Sequence, residues 1–86
     1  MDTTIDRTAR EEIQRLRVAL RLCRARAHTF AWNAKVLHRD ARCETDPRQR
    51  RDIVAYLNRA NTRELDWRRR ANRISRDLRE LKESLR

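Results

Sequence analysis

The stretch Glu44-Thr45-Asp46-Pro47-Arg48-Gln49 decides how this chain folds. It holds the only proline of the 86 residues, and the chain has no glycine. A proline fixes its own backbone and pushes the preceding residue out of the helical region. It is nevertheless welcome at the first position of a helix, where its missing N–H would have no partner. Asp46 then reads as the N-cap of a new helix, with Pro47 at its first position and Gln49 at its third. Glycine and proline supply most tight turns. The chain is therefore expected to bend sharply once, here.

Moving back from the turn, apolar residues recur at Ala41, Leu37, Ala34, Phe30, Ala27, Cys23, Leu20, Leu16 and Ile13. The steps alternate between three and four without a slip, which is the signature of a heptad seam. Thr8 followed by Glu11 reads as a capping box, and Glu12 suits the positive end of a helix. The expectation is a first helix from about 8 to 43, preceded by a frayed leader. Moving forward, Ile53, Leu57, Ala60, Glu64, Trp67, Ala71, Ile74, Leu78, Leu81 and Leu85 repeat the pattern, with Glu64 as the one polar member. A second helix is expected from about 47 to 85. A connection of residues 44–46 is too short for anything but an antiparallel arrangement.

The predicted fold class is all-α: a single domain built as a coiled-coil-like two-helix hairpin. Asn61-Thr62-Arg63-Glu64 offers a rival, because it resembles a capping box in a weakly helical patch. It would break the second helix near 61 and give a three-helix bundle.

The first helix carries a second apolar row, Val18, Leu22, Ala25, Thr29, Trp32 and Val36. At about 100° per residue it lies opposite the seam. The second helix has no such row. Two helices side by side bury one stripe each, and a chain of this length is marginal as a monomer. The row is therefore expected either to join two copies into a four-helix bundle or to dock on another protein. Val18, Leu22, Trp32 and Val36 are the candidate partner-binding residues, with Trp32 as the anchor.

Charge gives the other functional signal. The formal net charge is +10, from 23 basic and 13 acidic residues. Arginine far outnumbers lysine, which fits either a GC-rich bacterial or phage genome or a need for bidentate anion binding. No acid occurs between Ile13 and Arg39. Arg17, Arg21 and Arg24 fall on one flank of the first helix. The second helix carries the dense run Arg68, Arg69, Arg70 and Arg73, continued by Arg76. With the turn centred near residue 45, residue i lies beside about 90−i. The two arginine stretches then converge, and Arg26 falls beside Glu64 as a register-setting partner.

Several chemistries are not expected. His28 and His38 lack ligand partners one turn away, so no metal is predicted. Cys23 and Cys43 on one helix would stand about 30 Å apart, too far for a disulfide, and fit a reducing cytoplasm. Without glycine there is no phosphate-cradling loop, so no cofactor and no enzyme activity are expected. No segment is apolar enough to span a membrane. The leading expectation is a regulatory or inhibitory interaction protein, a homodimer or a partner of an acidic protein surface. An RNA- or DNA-binding hairpin is the second, and a structural subunit of an assembly the third.

Overall fold

The computed structural model describes residues 3–86, with side-chain surroundings from Arg7 onward. Two helices account for nearly all of it: α1 spans Thr3–Cys43 and α2 spans Pro47–Ser84. The bend between them is built as the proline predicts. Asp46 is extended, with φ −77° and ψ 118°, and its carboxylate accepts a hydrogen bond from the Arg48 amide at 2.9 Å. Glu44 locks the turn from the other side. Its carboxylate accepts from the Asp46 amide at 3.0 Å, and its carbonyl accepts from the Arg50 guanidinium. The Arg48 amide, one of the orphan donors at the start of α2, is thereby satisfied locally.

Two expectations about boundaries need correction. The first helix does not begin at a Thr8–Glu11 capping box. It starts at Thr3, so Thr8 lies inside it; residues 3–7 contain no glycine or proline to stop it there. The second helix is not broken near 61. Asn61 does not cap a new helix: α2 runs unbroken through it, and the neighbouring Thr62 hydroxyl donates to the carbonyl of Asn58 at 3.0 Å, one turn back. Threonine inside a helix commonly bonds backward in this way.

The helices pack side by side into a rod of 69 × 14 × 13 Å. Its radius of gyration is 19.4 Å, against about 12 Å for a compact domain of this length. The core is correspondingly thin. Leu20, Cys23, Ala27 and Ala34 from α1 are buried, as are Ala60, Ala71 and Leu78 from α2. Leu20, Cys23, Ala71 and Leu78 form one cluster, with Ile13, Leu16, Trp67 and Ile74 packed against it. Four of the seven buried residues are alanines. Small side chains at these layers let the two backbones approach closely, at the expense of apolar volume. Both seams are the ones the heptad spacing predicts. Only the last member, Leu85, stands exposed, just beyond the end of α2.

Register is not set by an ion pair. The ion pairs among the described residues are Arg15–Glu12, Arg39–Asp40 and Arg68–Glu64, each within one helix. Glu64 therefore does not pair with Arg26, contrary to the expectation from the turn. The two side chains leave the seam on opposite flanks. Glu64 lines a groove with His28, Lys35 and Arg68, whereas Arg26 lies over Trp67. Glu64 escapes an unpaired, half-buried state through a 2.9 Å bond from Arg68, one turn on.

Candidate functional site: an uncovered helix face and two arginine flanks

The second apolar row of α1 is uncovered. Val18 is 52% exposed, Leu22 49% and Trp32 62%. Val36, the fourth candidate, is half-buried and lines a groove with Phe30, Leu37 and Tyr56. Ala25 and Thr29, between them, are exposed, and the Thr29 hydroxyl is turned back onto the Ala25 carbonyl at 3.1 Å. The row is therefore apolar without competing polar groups along most of its length. Single exposed apolar residues are ordinary on protein surfaces, but a contiguous row of this kind marks interaction sites.

The candidate basic residues are all exposed: Arg17, Arg21, Arg24, Arg68, Arg69, Arg70, Arg73 and Arg76. They do not make one patch. They stand at similar heights along the rod but point three ways. Arg24 and Arg68 line a common groove with His28 and Asn72 on one flank. Arg70 lies on the opposite flank, its guanidinium 4.4 Å from the Trp67 ring centroid. Helical phase places Arg69, Arg73 and Arg76 on the back of α2, away from the seam. The convergence expected from the turn thus holds along the axis and fails around it.

The flank that carries Arg70 holds residues the composition alone does not single out. Arg26 joins Arg70 over the Trp67 ring, at 4.7 Å. Arg59 lies over Tyr56 at 5.4 Å, and Arg63 lies over Phe30 at 5.9 Å. Tyr56 is 58% exposed. Each such contact is worth about 0.5–1 kcal/mol at an exposed site. Arg59 and Arg70 each follow their aromatic by three residues, a neighbouring position on one helix. Arg26 and Arg63 reach across to the other helix.

His28 and His38 are exposed, and no group of three metal-ligating side chains occurs among the described residues. Cys23 is buried and Cys43 exposed, both as free thiols. The hydrogen bond and charge of Glu12 raise the pKa of Arg15 further. Its fully exposed setting makes that a surface effect. Among the described residues, no helix is long and apolar enough to cross a membrane. No protein-family model matches the chain, and neither does any curated protein or solved structure.

Proposed function

We propose that this chain is a small, non-catalytic regulatory or inhibitory protein that docks on an acidic surface of a larger protein through the outer face of α1. The observation that carries this reading is the uncovered row of Val18, Leu22 and Trp32 beside Arg17, Arg21 and Arg24. A large aromatic anchor within an apolar stripe, rimmed by arginine, is the composition of interface centres. The surface area supports the same reading. The chain exposes 7317 Å², whereas a compact monomer of 10.5 kDa exposes about 5400 Å². The excess is more than the roughly 800 Å² that one partner contributes to a standard interface. The net charge of +10 disfavours a second copy as the occupant and favours an acidic partner.

Two measurements test this together. Sedimentation equilibrium on nuclease-treated protein should report a monomer over the micromolar range. Immobilised protein should then retain, from extract of its source cell, an acidic protein that Leu22→Ala and Trp32→Ala lose and Arg69→Ala/Arg73→Ala keeps. A dimer that Trp32→Ala dissociates would assign the row to self-association in a four-helix bundle and sink the docking reading.

A further inference from the structure

Four arginines on one flank of the hairpin share a property that the other exposed basic groups lack. Arg26, Arg59, Arg63 and Arg70 each lie over an aromatic ring, and two of them lie over the same ring, that of Trp67. Among the described residues none of the four is ion-paired. The single carboxylate in the groove that Arg59, Arg63 and Arg70 line is Asp66, beside Asn58, Thr62 and Trp67. Two guanidinium groups gathered on one indole repel each other, and an anion that pairs with either of them relieves the arrangement.

We infer that this flank is a binding track for the phosphodiester backbone of single-stranded nucleic acid. A guanidinium anchored on a ring has already lost much of its rotamer freedom, so less is lost on binding. Its N–H edge stays free to donate bidentately to a phosphate, and its outer face is free to stack on an unpaired base. The spacing also suits a single strand. Arg59 and Arg63 are one helical turn apart, a rise of about 6 Å, and Arg59 to Arg70 spans about 16 Å. That is one row along one straight rod, which follows one strand; a duplex offers two strands and no free base faces. A strand presents a charge at every nucleotide in a single file, whereas an extended acidic peptide turns alternate side chains away. The track borders the apolar row of α1 at one end, where Arg59 and Arg63 share a groove with Trp32 and Val36; Leu22 lies outside that groove, so Leu22→Ala on one side and Arg59→Ala/Arg63→Ala on the other separate the two assignments.

The test is fluorescence anisotropy of labelled oligouridylate and oligothymidylate, each about a dozen nucleotides long, against the full chain. Both should bind, since the phosphate is common to them, and the tighter of the two identifies RNA or DNA as the source. Four neutralised phosphates give a slope of log K against log salt of about −3, so affinity falls about 50-fold between 50 and 200 mM salt. Arg59→Ala/Arg63→Ala should halve that slope. Arg69→Ala/Arg73→Ala, which removes the same charge from the back of α2, should leave it nearly unchanged. All four positions are exposed, and equal helicity by circular dichroism establishes that both variants fold. In a Trp32→Phe chain whose affinity for the strand equals that of the parent chain, Trp67 is the sole indole, and its emission should change as the strand binds. Equal losses in the two double variants would show diffuse charge and overturn the track. So would unchanged Trp67 emission, or equal displacement by a polyglutamate of matched charge.

Discussion

Leu20 and Leu22 have the same side chain, two residues apart on one helix, and the fold gives them opposite surroundings. Leu20 is 8% exposed and packs in the central cluster with Cys23, Ala71 and Leu78, while Leu22 is 49% exposed on the uncovered row. Truncation to alanine removes three carbons. At about 0.8 kcal/mol per buried carbon the transfer loss at Leu20 is about 2.4 kcal/mol. The seam cannot collapse fully around the gap, so the cavity raises the total to about 3 kcal/mol. At Leu22 only half the side chain is sheltered, and water fills the space that is left. The loss there is about 1 kcal/mol or less, part of it offset by the higher helix propensity of alanine. The two variants should differ by about 2 kcal/mol, a factor of roughly 30 in the unfolding equilibrium. A chain of this length is expected to have about 4–13 kcal/mol in all, so Leu20→Ala removes a large share. Urea unfolding followed by circular dichroism measures both. With a slope near 1 kcal/mol per molar, the midpoint of Leu20→Ala should fall by about 3 M and that of Leu22→Ala by about 1 M or less. The comparison should be made at several protein concentrations. Equal destabilisation by the two variants, growing weaker as protein is diluted, would refute the picture of a hairpin whose α1 row is uncovered, because a second copy would then be covering it.

Glu64→Gln should cost no more than about 0.5 kcal/mol, because it breaks one intrahelical pair with Arg68 on a partly exposed surface. A loss of 3 kcal/mol or more in thermal unfolding would instead indicate a buried pair across the helices. The cysteines should separate cleanly under a thiol reagent at neutral pH. Cys43 is exposed and should label within the mixing time of the reagent, whereas Cys23 is buried and should label only as fast as the hairpin opens. Equal rates at the two sites would mean the seam around Cys23 is not closed.

The secondary structure was legible in the residues because it depends on local rules. One proline at 47, a capping aspartate at 46 and two unbroken three-four repeats are enough to place the bend, the helices and the buried stripe. The same periodicity exposes Val18, Leu22 and Trp32, since a helix in a two-membered hairpin buries one face only. Local signals fail where two of them compete. Thr8 and Asn61 both resemble caps, yet each lies inside a longer helix, because nothing next to either one stops the helical repeat from running through it.

What only the tertiary structure decides is the pairing across the seam. A turn of three residues sets which heights meet, but not which flank each side chain leaves by. Arg26 and Glu64 stand near the same height and diverge, so the ion pair expected between them does not form. Arg24, Arg69 and Arg70, all counted as one patch from spacing along the chain, point in three directions. Arg59 beside Tyr56 and Arg70 beside Trp67 could be read from a three-residue step on one helix. Arg63 over Phe30 and Arg26 over Trp67 could not, because each contact joins residues more than thirty apart in sequence and depends on the rotation of one helix against the other. Periodicity is a property of one helix; the relative rotation of two is set by how alanines 27, 34, 60 and 71 let their backbones close together.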